Sequence, residues 1–123
     1  MAMRCLIVDD NQSFLEAART LLVQEGLSVV GVATTSRVAL QLTETLGPDV
    51  VLVDLDLGEE SGFELARRLV DDGLRSGPTV ILISTHEEDE FGNLIASSPA
   101  AGFIPKLELS ARAVRAIAGD RSP

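Results

Sequence analysis

Residues 50–58 read Val-Val-Leu-Val-Asp-Leu-Asp-Leu-Gly. Four consecutive apolar residues with no polar alternation suit a strand buried on both faces, as in a parallel sheet covered by helices. The carboxylate of Asp54 then lies at the strand's C-terminal edge, where open α/β sheets place their ligands. Other apolar runs end in the same way. Cys5-Leu6-Ile7-Val8 runs into Asp9-Asp10, and Val80-Ile81-Leu82-Ile83 into Ser84-Thr85. Ala101-Gly102-Phe103-Ile104-Pro105 ends at Lys106, the only lysine in the chain. Acids, hydroxyls and one amine therefore gather at one edge of one sheet, and that edge is the candidate site.

The stretches between these runs read as helices. Asn11 to Ser13 offer N-cap side chains to a helix carrying Phe14, Leu15, Ala18, Leu21 and Leu22, with Gly26 as its stop. Leu27 to Ala33, short and β-branched, is a second strand. Thr34 to Ser36 cap a helix whose Val38, Leu42 and Leu46 recur every four residues, ended by Gly47-Pro48. Gly58 to Gly62 reads as a loop, followed by a helix with Phe63, Leu65, Ala66, Leu69 and Val70 that runs up to Gly73. Gly77-Pro78 opens the next strand. Glu87 to Glu90 put acids into the first turn of a fourth helix, where the helix dipole favours them. Pro99 and Gly102 bracket the turn into the last strand. Leu107 to Ala118 is expected as the final helix, with Leu109, Ala113, Val114 and Ile117 on its apolar side.

Five strands alternating with five helices give an α/β chain. The expected fold is a single doubly wound (βα)5, flavodoxin-like domain with a five-stranded parallel sheet and right-handed crossovers. It is expected to span residues 1–119, with 120–123 as a polar tail or the start of a linker.

Composition narrows the function. The 123 residues carry 19 acidic against 10 basic side chains, a formal charge of −9. That balance disfavours direct binding to nucleic acid or to an anionic membrane, because phosphate contacts need a basic face; a cation or a basic partner surface is compatible with it. With four Phe and no Trp or Tyr, the core must be aliphatic. Cys5, the only cysteine, is expected as a buried, inert thiol. No apolar stretch approaches the roughly 20 residues of a membrane span, and the N-terminal apolar run breaks too early for a signal peptide. A reduced, soluble, cytoplasmic domain is expected.

Asp9, Asp10 and Asp54 come from two strands but converge in space, and three carboxylates repel one another unless a cation holds them. Hard oxygen ligands favour Mg²⁺. Lys106 supplies a compact positive charge for a further anion, and the Ser84 hydroxyl can donate to it. A carboxylate beside Mg²⁺, a lysine and a hydroxyl suits phosphoryl transfer, in which catalysis is mostly positioning and charge stabilisation. The carboxylate would be the nucleophile and form an acyl phosphate.

These features together resemble a receiver domain of a bacterial two-component response regulator, over essentially the whole length. The matching residues are Asp9-Asp10, Asp54 with Gly62 eight positions on, Ser84 and Lys106. The resemblance implies that Asp54 accepts a phosphoryl group from a sensor histidine kinase. It implies that Asp10 binds Mg²⁺ directly, Asp9 directly or through a water, and the main-chain carbonyl of Asp56 completes the metal site. Lys106 would contact the acceptor carboxylate and then the phosphoryl group. Ser84 would hydrogen-bond the phosphoryl, and Phe103 holds the place of the coupled switch aromatic. The fourth helix, fifth strand and fifth helix would then present a changed surface, read out as a homodimer or the release of an output domain. Such a domain is a signalling switch rather than an enzyme, limited to self-phosphorylation from phosphodonors and slow autodephosphorylation. The segment Gly102 to Lys106 is similar to receivers of LuxR/NarL-type regulators, which carry a C-terminal helix-turn-helix DNA-binding domain. An excised receiver is therefore preferred to a single-domain regulator.

Some positions depart from the common receiver pattern. Gly58 stands near a frequent proline, which is expected to loosen the loop after Asp54. Ser84 replaces the more frequent threonine and keeps the hydroxyl. Asp56 and His86 occupy positions that tune phosphoryl lifetime in this family. Plainer readings exist for each feature: Asp9-Asp10 as acids at a helix start, Ser84 as a cap, Lys106 as a solvated strand end, Phe103 as core. His86 as a metal ligand lacks partners at zinc spacing. Two rival functions compete with this one. Asp54-Leu55-Asp56 also resembles the Asp-x-Asp of haloacid-dehalogenase-type phosphatases, which place it on the first strand of longer chains. A degenerate receiver acting only as a protein-interaction module would lack an acid or the lysine, and none is missing here.

Overall fold

The structure, a computed structural model, describes residues 2–71, 77–85 and 92–119. Five parallel strands form its centre: β1 (Arg4–Val8), β2 (Ser28–Ala33), β3 (Val50–Asp54), β4 (Thr79–Ser84) and β5 (Gly102–Pro105). Five helices alternate with them: α1 (Gln12–Gln24), α2 (Ser36–Leu46), α3 (Gly62–Asp71), α4 (Gly92–Ser97) and α5 (Ala111–Ala118). The strand order is β2-β1-β3-β4-β5. The chain winds outward from β1 to β2, then returns past β1 to continue in the other direction, the doubly wound pattern expected from the sequence.

The continuous apolar runs are explained by two cores, one on each face of the sheet. Successive side chains of a strand point to opposite faces. Cys5, Ile7, Val50, Leu52, Ile81 and Ile83 pack on one side with Leu15, Ala18 and Leu22 of α1 and Ala111 and Val114 of α5. Their neighbours Leu6, Val8, Val51, Val53, Val80 and Leu82 pack on the other with Ala39 of α2 and Leu65, Ala66 and Leu69 of α3. All five residues of β3 are buried. Pro105 is tolerated because β5 is an edge strand, where a missing N–H costs no ladder bond.

The caps fall where the sequence offers them. The Asn11 side chain accepts from Phe14 N–H at 3.1 Å, and Thr35 Oγ1 from Val38 N–H at 3.2 Å. Gly47 ends α2 in the left-handed region, with φ 57°.

Three expectations change. The final helix does not start at Leu107: Lys106–Glu108 form a 3-10 turn, Ser110 caps Ala113 N–H at 3.0 Å, and α5 begins at Ala111. Leu109 is buried ahead of the helix, while Leu107 is 99% exposed. In α2 the buried positions are Ser36 and Ala39, with Leu42 and Leu46 half-buried and Val38 exposed. Gly31 of β2 leaves room there, since Leu46 and Leu42 lie over the space its side chain would fill. Residues 58–62 are not a plain loop. Asp56–Leu57 pair antiparallel with Glu60–Ser61, and Gly62 is already the first residue of α3. Gly73, the acids Glu87 to Glu90 and the tail 120–123 lie outside the described residues.

Gly62 shows why the return from the ribbon is tight. Its N–H donates to Leu55 O at 3.0 Å, and a Cβ at this position would fall 2.1 Å from the Asp54 carbonyl oxygen and 2.8 Å from Leu55 Cα. Backbone cannot yield as a flexible side chain would. Gly62→Ala should therefore destabilise the domain by about 2–3 kcal/mol, the upper part of the range for forced overpacking. The check is a lowered urea midpoint with an unchanged denaturant slope.

Candidate functional site

The site follows from register. Val8 pairs with Val53, so Asp9 stands level with Asp54, the last residue of β3. Asp54 pairs with Ile83, which places Ser84 one step beyond, and Ser84 pairs with Pro105, which places Lys106 next. Asp9, Asp54, Ser84 and Lys106 are thereby brought to the C-terminal edge of four adjacent strands. A one-residue slip in any pairing would turn the group to the opposite face.

Burial sets the electrostatics. Asp9 is fully buried, Asp54 is 5% exposed and Ser84 2% exposed, while Asp10 faces solvent. One carboxylate oxygen from each of Asp9, Asp10 and Asp54 lies within 4.8 Å of the others. Lys106 Nζ reaches Asp9 Oδ2 at 2.5 Å and Asp54 Oδ2 at 3.6 Å. Asp9 Oδ2 has no directed hydrogen bond, so the ammonium holds it by charge. Its other oxygen, Oδ1, accepts from Asn11 N–H at 2.9 Å. The ammonium also lies over the Phe14 ring, 4.3 Å from its centroid.

Burial, and then the carboxylate of Asp9, push the Asp54 carboxyl up from the ordinary 3.8 to about 6; Lys106 and the main-chain N–H of Asp56 hold it from rising further. One lysine thus faces three carboxylates. An all-oxygen donor set with uncompensated negative charge fits a hard divalent cation, and the cluster could hold one. The Cys5 thiol, buried under the sheet, is pushed up to about 12 and is inert, as expected.

Other expected residues fall in different places. The Asp56 side chain points to solvent on the ribbon. Gly58 is the first residue of the two-residue turn of that ribbon, with φ 74°. Proline, fixed near −65°, could not take this conformation, so the turn after Asp54 is a paired ribbon rather than a loosened loop. Phe103 is half-buried against the core shared by Leu82 and Ile95. His86 lies outside the described residues.

Sequence reasoning missed several long-range ties. Glu60 Oε1 accepts from Ser36 N–H at 2.9 Å, joining the ribbon to the start of α2. Glu25 Oε1 accepts from Ala111 N–H at 2.7 Å, joining the end of α1 to the start of α5. Phe14 reads in sequence only as helix core, and nothing local pairs it with a lysine 92 positions away.

Residues 5–118 match the family model of the response regulator receiver domain. The response regulator GacA of Pseudomonas aeruginosa is 36% identical over 96% of this chain and 56% of its own length. The DNA-binding transcriptional activator EvgA of Escherichia coli is 28% identical over 86% of this chain and 51% of its own. The chain thus spans about half the length of these relatives. Among solved structures, the signal receiver domain of a NarL response regulator from Mycobacterium tuberculosis superposes with a TM-score of 0.84 at 30% identity, over 98% of both chains. Among the described residues, no helix is long and apolar enough to cross a membrane.

A carboxyl pushed up on folding stabilises the native state below its unfolded value and less as pH rises through its folded one. In metal-free buffer, stability should therefore fall between about pH 4 and pH 6, by about 2–3 kcal/mol from Asp54. Asp54→Asn should flatten that fall, measured by urea denaturation at pH 4.5 and pH 7 in the presence of a chelator.

Proposed function

Because the chain belongs to the response regulator receiver domain family, we propose that it is the phosphoacceptor switch of a two-component system, with Asp54 as the acceptor. The observation that carries this reading is Lys106 set between Asp9 and Asp54 at the edge where three carboxylates converge.

Asp54 ends a strand buried throughout, so its carboxylate has a fixed origin and little freedom. With its carboxyl held near 6, it is mostly ionised at neutral pH and can act as a nucleophile. An oxygen of Asp54 attacks the phosphorus of a phosphohistidine on a sensor kinase. The O–P bond forms as the P–N bond breaks, and the electron pair of that bond stays with the imidazole. Asp9, Asp10, Asp54 and the main-chain carbonyl of Asp56 would hold Mg²⁺, which supplies positive charge to the phosphoryl oxygens when bound. Lys106 is already within an ion pair's reach of the acceptor and needs only a small movement to meet the phosphoryl group. Ser84, one residue past the partner of Asp54 and nearly fully buried, would be the hydroxyl that closes on that group.

Phe103 lies next to β4, opposite Leu82. A movement of Ser84 would therefore be passed to Phe103 and to the surface of α4, β5 and α5. That two-state change is the output, read as a homodimer or as release of a C-terminal helix-turn-helix domain in the full-length protein. The exposed Asp56, and His86 beyond Ser84, would set how quickly water removes the phosphoryl group.

The test is intact mass after incubation with acetyl phosphate. A gain of one phosphoryl group is expected that requires both Mg²⁺ and Asp54, and it is lost in Asp54→Asn. No gain under conditions that label an authentic receiver would overturn the reading in favour of a phosphorylation-independent interaction module.

A further inference from the structure

We propose that Phe14 is a positioning residue for phosphoryl transfer, holding the Lys106 ammonium in place through the face of its ring; this rests on the reading of Asp54 as the acceptor. A lysine side chain is a flexible four-carbon stem ending in a compact charge, and on its own it does not fix where that charge sits. Here the Lys106 side chain is only 12% exposed, and its ammonium meets Asp9 and Asp54 as well as the Phe14 ring, 4.3 Å from the ring centroid. That distance is within the roughly 6 Å over which an aromatic face attracts a cation.

The ring itself is anchored. Asp9 Oδ1 accepts from Asn11 N–H, and the Asn11 side chain accepts from Phe14 N–H at the first turn of α1. Phe14 packs on the α1 side of the core, its ring meets Lys106, and Lys106 returns to Asp9. Four residues close a cycle in which the metal-side acid Asp9 appears at both ends. The placement of the ammonium is therefore tied to the same carboxylate that would help hold the cation.

The chemistry of the ring suits the task. A third carboxylate behind Lys106 would hold it as firmly but would compete with the incoming phosphoryl oxygens for the charge. An aromatic face attracts the cation without a negative charge of its own to compete for it, so donors of the ammonium remain for the acceptor side. Preorganisation of this kind lowers the reorganisation needed when charge develops on the transferring group.

Lys106 is the only lysine, so lysine labelled with ¹³C and ¹⁵N gives one reporter. Three proteins are compared: the natural chain, Phe14→Leu, which keeps an apolar filler, and Phe14→Tyr, which keeps the ring face. In the natural chain the Lys106 Hε signals are expected upfield of free lysine. Phe14→Leu should lose that displacement and slow Mg²⁺-dependent labelling by acetyl phosphate about three- to ten-fold, the size expected of a partly desolvated cation–π contact. Its Mg²⁺ affinity, followed on the same lysine signals, should be unchanged. Phe14→Tyr should keep both the displacement and the rate. Equal slowing in Phe14→Leu and Phe14→Tyr would show a packing role and overturn the proposal. A Phe14→Leu protein with the natural rate, or with an undisplaced lysine signal already in the natural chain, would also overturn it. If the natural chain takes up no phosphoryl group, the acceptor reading fails instead, and the lysine signals still decide whether the ring holds the ammonium.

Discussion

Everything at the edge of this sheet depends on one unfavourable interaction: three carboxylates placed close together with a single lysine among them. Asp9 and Asp54 are buried, and their mutual repulsion and loss of water would push the fold apart if nothing opposed it. Lys106 opposes part of it. The remaining charge is what would draw a cation to the site in the function proposed for it. Stability and function therefore pull in opposite directions at Asp54, as they commonly do where a strained site carries the chemistry.

The fold is able to hold this because a packed core backs the sheet on each face. Each strand is apolar on both faces, and the two cores lock the register of β1, β3 and β4 from both sides. Register is what converts four separate sequence runs into one constellation: Asp9 level with Asp54, Ser84 one step on, Lys106 after its partner. The helix ends are tied by side chains far apart in sequence, Glu60 to the start of α2 and Glu25 to the start of α5. The first of these links the ribbon after Asp54 directly to a helix on one face, and the second links α1 and α5 on the other.

Much of this was legible in the sequence, for identifiable reasons. Buried parallel strands write themselves as continuous apolar runs, so β1, β3 and β4 and the residues at their ends could be read directly. Helix caps such as Asn11 and Thr35 are local chemistry and were equally plain. The errors lie where the deciding contact is not local. A ribbon of two residues on each side, Asp56–Leu57 with Glu60–Ser61, is too short to leave a period. The start of α5 was placed too early because the apolar pattern runs on through Leu107 and Leu109, although Ser110 carried a cap signal that marks the true start. The buried face of α2 takes in Ser36 and Ala39 rather than Val38, while Leu42 and Leu46 lie over Gly31 of a neighbouring strand. Phe14 beneath Lys106 joins α1 to the end of β5, and only the folded chain brings them together.

The central claim is that the acyl phosphate forms on Asp54 and nowhere else. Its most direct test is reduction of the phosphorylated protein with borohydride, which converts an aspartyl phosphate to homoserine, followed by peptide mass spectrometry. The account predicts homoserine at position 54 alone, and only when Mg²⁺ was present during labelling. Homoserine at position 9 or 10, or phosphate retained on Ser84 or Thr85, would contradict it.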